Sequence, residues 1–144
     1  MSGNIALLDS NILVYAFDSS EKEKNRKAKK LLQGCFLGTA IYAVSIQNLS
    51  EFFYTITKKI EFPVSGDIAA SLVKKMIEFS GFKVLEPNKF TILRATELYR
   101  DKNIPYWDAL IIATMMENQI FGILTENTKD FQRAEGITAR NPFL

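Results

Sequence analysis

The sequence predicts a single α/β domain with three layers, in which helices cover both faces of a mostly parallel sheet of four to five strands. Short apolar runs alternate along the 144 residues with longer segments in which apolar residues recur every three or four positions. This alternation is typical of strands joined by crossover helices. The length suits one domain over residues 1–144, and a chain of this size buries enough apolar surface to fold without a disulfide.

Five short segments have the composition of strands. Residues 5–8 form a continuous apolar run that ends at Asp9, as expected of a strand buried on both faces. The other predicted strands are residues 40–44, residues 82–85, residues 122–125 and a short terminal strand between Ile137 and Asn141.

Helical spacing of apolar residues predicts five helices between these strands. Pro63 closes the second helix, Gly81 ends the third, and Pro105 opens the last. The predicted helices are residues 21–33, 46–60, 65–80, 89–101 and 106–118.

The chain contains no histidine and one cysteine, Cys35. This composition excludes Ser-His-Asp and Cys-His sites, histidine-based RNA cleavage, zinc sites built on histidine or cysteine, and an internal disulfide. Hydrolysis would therefore depend on carboxylates, with a hard divalent ion bound through oxygen. The net charge of +2 does not by itself indicate a nucleic-acid partner.

The first residues do not have the pattern of a signal peptide, and the apolar run that follows is too short to span a membrane. With a single cysteine in addition, we expect a cytoplasmic protein without membrane attachment.

Several acidic residues fall where a parallel sheet binds ligands. Asp9 follows the first strand, the segment 125–130 follows the fourth, and Asp108 begins a helix. Each also has a structural explanation: Asp9 as a helix cap, Asp108 as a partner of the helix dipole, and the segment 125–130 as a turn. Glu51 lies beside the apolar face of the helix 46–60, and for a lone Glu a solvated position on an amphipathic helix is the more common explanation.

Four short blocks follow one another along nearly the whole chain. They are LDSNIL at residues 8–13, VSIQNLSEF at 44–52, IPYWDALIIA at 104–113 and ILTENTKDF at 123–131, the last followed by Gly-Ile at 136–137 and NPF at 141–143. In content and order these blocks resemble PIN-domain proteins, and within that family they are most similar to the toxin halves of VapBC toxin–antitoxin pairs.

The resemblance implies a ribonuclease in which Asp9, Glu51 and Asp108 converge as ligands of Mg²⁺ or Mn²⁺. Many relatives carry a fourth acid where this chain has Asn127, and Asp130 is the nearest residue that could replace it. Other polar residues of the blocks would orient the carboxylates or a metal-bound water, namely Ser10, Asn11, Thr125 and Asn127.

The same resemblance implies a mechanism and partners. Clustered carboxylates repel one another, and a divalent ion both relieves this repulsion and lowers the pKa of a water that attacks the phosphodiester. The expected products carry a 5′-phosphate and a 3′-hydroxyl. The expected partners are an RNA substrate, an antitoxin whose C-terminal segment occupies the active-site groove, and a second copy of the chain, for which the helices 46–60 and 65–80 offer apolar surface.

An RNA substrate also needs a basic surface. The densest group of cations lies at residues 22–30, where a solvated helix face is the alternative explanation. The predicted RNA contacts are Lys27 and Lys30 from this group, and Lys58 from the helix that carries Glu51.

Other functions remain open from the sequence. Asn127 in place of an acid would suit a non-catalytic PIN-like module that binds RNA or protein. A phosphotransferase of the haloacid-dehalogenase type needs a second Asp two residues after the first, where Asn11 stands. A receiver-like phosphoacceptor is disfavoured because no acidic pair precedes the second strand.

Overall fold

The computed structural model describes residues 5–144, so Met1–Asn4, where no signal peptide was predicted, lie outside the described residues. Five strands form one sheet, and every pairing in it is parallel. They are β1 (Ala6–Leu8), β2 (Tyr42–Ser45), β3 (Phe82–Leu85), β4 (Gly122–Leu124) and β5 (Thr138–Arg140). The prediction of an α/β fold with four to five mostly parallel strands is confirmed.

Seven helices are present in the described part of the chain, five of them close to the predicted positions. Their bounds are α1 (Ser10–Tyr15), α2 (Lys22–Leu37), α3 (Ile46–Lys58), α4 (Gly66–Glu78), α5 (Lys89–Lys102), α6 (Tyr106–Glu117) and α7 (Thr128–Phe131). None of the helices formed by residues 5–144 combines the length and the apolar composition needed to cross a bilayer.

Two separate apolar cores explain the three layers. Successive strand residues point to opposite faces, so that Leu7 and Ile123 pack under α5, α6 and α7, whereas Leu8 and Leu124 pack under α1 to α4. The strands are therefore buried on both faces, as their unbroken apolar runs predicted.

One predicted helix end differs from the structure, and two short helices had no predicted bounds, in each case for a local reason. The predicted helix 21–33 continues to Leu37, because Gly34 is accommodated inside α2 and the helix ends only at Gly38, whose φ of 77° is left-handed. The short helices α1 and α7 had no predicted bounds, because neither is long enough to show helical periodicity.

The strand order is β3-β2-β1-β4-β5, so successive strands are added first on one side of β1 and then on the other. The chain first moves outward through β2 and β3, and then returns to add β4 and β5 on the other side. The carboxyl ends of β1 and β4 therefore lie at the point where open α/β sheets form a ligand crevice. Asp9 follows β1 directly, and its backbone N–H donates to the carbonyl of Leu124 on β4 at 3.0 Å.

Candidate active site

The three predicted carboxylates line one open cavity of about 600 Å³ at this edge of the sheet. Asp9 follows β1, Glu51 lies in the middle of α3, and Asp108 lies in the first turn of α6. Asn11 and Asn127 line the same cavity, whereas Asp130 is not one of its lining residues. Residues far apart in sequence thus meet where the topology predicts a ligand site.

Asp9 is the most buried of the acids, with 8% of its surface exposed. Its carboxylate accepts hydrogen bonds from the Ser10 backbone at 2.8 Å, from Thr125 Oγ1 at 2.7 Å and more distantly from Asn48 Nδ2 at 3.4 Å. Burial raises the pKa of Asp9, the bonds from Thr125 and Ser10 oppose this rise, and the charge of Glu51 adds to it.

Asn48 is a residue of this site that the sequence analysis did not single out. It is fully buried, and its side-chain oxygen accepts from the Ser45 backbone at 3.0 Å, which completes a capping box at the start of α3. The amide nitrogen of the same side chain reaches Asp9 and Ser10 Oγ, the latter at 3.2 Å. The Ser-x-x-Asn spacing at residues 45–48 was a detectable capping signal.

Glu51 is exposed, but two polar side chains donate hydrogen bonds to its carboxylate. Ser10 Oγ donates to Glu51 Oε2 at 3.3 Å, and Gln47 Nε2 donates to Glu51 Oε1 at 3.1 Å. Gln47 also donates to the backbone carbonyl of Trp107 at 3.1 Å, which connects α3 to the first turn of α6. Trp107 itself is exposed and lines the cavity.

The pKa of the Asp108 carboxyl is raised from 3.8 to about 6. Burial is the largest cause, followed by the negative charges of Asp9, Asp130 and Glu51, while the hydrogen bond from Asn127 acts in the opposite direction. Repulsion of this kind between clustered carboxylates is what a bound cation would relieve.

Asn127 stands between two of the acids. Its Nδ2 donates to Asp108 Oδ2 at 2.9 Å and to Asp130 Oδ2 at 3.0 Å. Its backbone N–H donates to Thr125 Oγ1 at 3.0 Å, so the hydroxyl that binds Asp9 also fixes the turn after β4. The amide of Asn127 thus reduces the repulsion between the two carboxylates, whereas an acid at this position would add a third negative charge.

The donor atoms suit a hard divalent ion. Carboxylates surround the cavity, and the buried Oδ1 of Asn11, also on its wall, has no hydrogen-bond partner among the described residues. Within residues 5–144, no three acidic or cysteine side chains lie close enough together to hold one ion between them. Mg²⁺ is commonly bound by only one or two carboxylates together with several waters, so the residues fit it without such a group.

Glu126, a further acid near the cavity, is bound by two side chains from α1 and α2. Glu126 accepts from Tyr15 OH at 2.7 Å and from Lys24 Nζ at 2.6 Å, and the Lys24 ammonium also lies over the Tyr15 ring. Glu126 is therefore committed to α1 and α2 rather than to the other carboxylates.

The predicted RNA contacts lie outside the acidic cavity. Lys58 is exposed on α3 and is not on the cavity wall, whereas the adjacent Lys59 is. Lys27 and Lys30 border a different depression, beside α2.

Comparison with known proteins agrees with this geometry. Residues 6–137 match the PIN domain family, and the chain therefore belongs to it. No curated protein matches the chain.

Solved structures share the fold at low sequence identity. A toxin–antitoxin complex from Klebsiella pneumoniae matches with 23% identity, a TM-score of 0.66 and coverage of 95% of this chain and 97% of that one. VapC20 from Mycobacterium tuberculosis, a sarcin-ricin loop cleaving toxin, matches with 16% identity, a TM-score of 0.68 and coverage of 90% and 95%. VapBC2 from Rickettsia felis, bound to a promoter DNA fragment, matches with 20% identity, a TM-score of 0.63 and coverage of 95% and 98%.

Proposed function

We propose that this chain is a metal-dependent endoribonuclease and the toxin of a VapBC-type toxin–antitoxin pair. The observation that carries the proposal is one cavity in which Asp9, Glu51 and Asp108 meet, with the pKa of Asp108 raised to about 6 by burial and by its acidic neighbours. A perturbed carboxyl in a cleft is typical of a catalytic site, and membership of the PIN domain family points to nuclease chemistry.

Mg²⁺ or Mn²⁺ would be held between Asp9, Glu51 and Asp108, by one or two of these carboxylates directly and by the others through metal-bound water, with the unpartnered oxygen of Asn11 as an additional ligand. The bound ion would supply a water of lowered pKa and shield the charge of the phosphodiester. The remaining residues hold these acids in place: Thr125 and Asn48 orient Asp9, Ser10 and Gln47 orient Glu51, and Asn127 orients Asp108 and Asp130.

Trp107 is suited to bind the substrate at the rim of the cavity. Two-thirds of this side chain is exposed, with a relative accessibility of 66%, although it adjoins the catalytic acid Asp108. Exposed aromatic rings next to a nuclease site stack on unpaired bases, which fits a single-stranded or loop region of RNA as the substrate.

The antitoxin is expected to cover part of the apolar surface between α2 and α4. A groove of about 490 Å³ lies there, and its walls are mainly apolar. Its apolar lining consists of Ala16, Phe17, Leu32, Phe36, Leu37 and Leu72. The toxin–antitoxin complexes among the structural relatives support this partner, and a homodimer through α3 and α4 stays a prediction.

The proposal is tested by incubating the purified protein with total cellular RNA and with tRNA, in Mg²⁺ or Mn²⁺ and in EDTA. We expect cleavage only with metal, ends that carry 5′-phosphate and 3′-hydroxyl, and loss of activity in Asp9→Asn and Asp108→Asn. Asp67→Asn, on the exposed first turn of α4, is the matched control and should remain active. No cleavage in either metal, or full activity in both site variants, would refute the proposal.

A non-catalytic PIN-like binding module is the second candidate. The observation that favours it is Asn127, whose amide donates to two carboxylates where a further acid would bind metal. Calorimetric titration with Mn²⁺ separates the two functions, because a degenerate site should give no measurable heat of binding.

A further inference from the structure

A basic surface lies beside the acidic cavity and has no part in holding the carboxylates. It surrounds a depression of about 420 Å³ between α2 and the end of β5. We define this basic surface as Arg26, Lys27, Lys30 and Arg140, with Leu31 and Pro142 forming its apolar floor. These six residues line the depression, and none of them is acidic.

The cations of the basic surface keep their charge available. Lys27 Nζ donates to the neutral backbone carbonyl of Phe143 at 3.3 Å. Arg26 pairs with Glu23 at 3.1 Å, but both side chains are largely exposed and such a pair is weak. Lys30 and Arg140 are exposed. Lys24, by contrast, is committed to Glu126 at 2.6 Å and is not available.

The basic surface is connected to the acidic cavity through two aromatic residues. Tyr15 lines the cavity, and its ring meets the Phe143 ring edge-on with 5.2 Å between centroids. Phe143 in turn accepts the hydrogen bond from Lys27. A chain that leaves the cavity over Tyr15 and Phe143 therefore reaches the basic surface next.

Charge and shape together indicate the kind of ligand. Lys27 and Lys30 lie three residues apart on one face of α2, and Arg140 adds a third cation from the neighbouring strand. Several cations close together suit successive phosphates, whereas the floor of Leu31 and Pro142 offers no aromatic ring for stacking on a base. The surface therefore suits a sugar–phosphate backbone and not a particular base.

We propose that the basic surface binds the phosphates of the RNA strand adjoining the segment that enters the acidic cavity. This inference rests on the proposed ribonuclease function. The acidic cavity repels polyanions, and cations beside it offset that repulsion for the flanking nucleotides. The contacts are independent of sequence, so they add affinity for RNA without selecting the cleaved bond.

The experiment measures the binding of a short fluorescently labelled single-stranded RNA by anisotropy, in EDTA and over a range of KCl concentrations. The test variant is Lys27→Gln/Lys30→Gln/Arg140→Gln. The control variant is Lys74→Gln/Lys89→Gln/Lys102→Gln, which removes three exposed lysines from α4 and α5 and leaves the same net charge. Thermal unfolding of both variants verifies that the fold is kept.

We expect the test variant to bind RNA roughly 10- to 100-fold more weakly at about 0.1 M salt, with a salt slope lower by about 2, because three phosphate contacts are lost. The control variant should keep the affinity and slope of the unmodified protein. An equal loss in both variants, or an unchanged slope in the test variant, would overturn the inference. It would also be overturned if a poly-glutamate peptide bound this surface more tightly than the RNA, since the surface would then fit an acidic protein.

Failure of this inference can be told apart from failure of the proposed ribonuclease function. If the test variant loses RNA binding but the unmodified protein does not cleave RNA in Mg²⁺ or Mn²⁺, the basic surface stands and the nuclease is refuted. If cleavage occurs and the test variant binds RNA normally, the nuclease stands and the basic surface is refuted.

Discussion

Asp108 and Asn127 set the electrostatics of the site at the level of single side chains. Three acids, Asp9, Asp130 and Glu51, raise the pKa of Asp108, and the hydrogen bond from the Asn127 amide opposes them. Between about pH 4 and about pH 6 the folded state therefore holds a proton on Asp108 that the unfolded chain would release. This imbalance is a cost of folding that only the tertiary arrangement creates.

Replacing Asp108 should stabilise the metal-free protein in a pH-dependent way. The ordinary pKa of 3.8 rises to about 6 on folding, so the unmodified protein loses stability as the pH rises from about 4 to about 6 and does not regain it above. We expect Asp108→Asn to be more stable by about 1–2 kcal/mol at pH 7.5, once screening of this partly exposed group is allowed for. Urea unfolding in EDTA from pH 4 to pH 8 measures this, and a gain that is equal at both ends would contradict it.

Asn127→Asp should lower the stability of the metal-free protein and strengthen its binding of Mn²⁺. The change removes two hydrogen bonds and places a carboxylate between Asp108 and Asp130, so we expect a loss of about 2 kcal/mol without metal. Mn²⁺ should then raise the melting temperature more in the variant than in the unmodified protein. Asn118→Asp is the control, because it also removes an amide hydrogen bond, to Thr114, but lies at the end of α6. A similar response to Mn²⁺ in both variants would argue against the role of Asn127.

At the level of secondary structure, the capping of α3 also builds the site. The same Asn48 side chain caps α3 and reaches the carboxylate that follows β1, 39 residues earlier in the chain. The start of the helix and the position of Asp9 are therefore fixed by one buried group.

Asn48→Ala should therefore cost more than the loss of an ordinary cap. It leaves the buried polar atoms of Ser45, Ser10 and Asp9 short of a partner, and we expect a loss of about 2–3 kcal/mol. The comparison is Asn88→Ala, which removes the capping box of the exposed α5 start and should cost about 1 kcal/mol. Equal losses in chemical denaturation would show that Asn48 is no more than a cap.

The packing of α2 against the start of β3 requires a glycine. A Cβ at Gly81 would overlap the backbone of Cys35, whereas a Cβ at Gly66, in the first turn of α4, would meet nothing within 4 Å. We expect Gly81→Ala to cost about 3 kcal/mol or more, and Gly66→Ala to be neutral or to stabilise by up to about 1 kcal/mol. Thermal unfolding of the pair checks this, and a neutral Gly81→Ala would show that the two segments separate easily.

At the level of the whole molecule, the strand order gathers acids from distant parts of the chain into one crevice. The same order brings β5 next to β4 and thereby places Arg140 beside α2. A single topology thus places the acidic cavity beside the basic surface.

Metal binding should stabilise the whole fold, since the acids come together only in the folded state. At a metal concentration about 100 times the Kd, the stabilisation is about 2.7 kcal/mol. The rise in melting temperature with Mn²⁺ should grow between pH 5 and pH 7, as Asp108 loses its proton near pH 6. It should be absent in Asp108→Asn and kept in Asp67→Asn. A rise that is as large at pH 5 as at pH 7 would contradict the role of Asp108.

Most of the elements were predictable from the sequence, because burial of strands and helices leaves a periodic pattern in the chain. The positions of Asp9 and Thr125 at the carboxyl edge of the sheet were also predictable, since each directly follows an apolar run. The role of Asn48 was not, because a capping signal does not reveal that the same amide reaches Asp9.

By itself, the sequence determined the α/β class, the strand and helix order, and the absence of histidine and cysteine chemistry, because these depend only on composition and local spacing. The tertiary structure decided which charges meet. It placed Asn127 between Asp108 and Asp130, engaged Lys24 with Glu126, and set Arg140 beside Lys27. Electrostatic interactions and hydrogen bonds depend on distances between atoms, and the distance between residues far apart in the chain is fixed only when the sheet assembles.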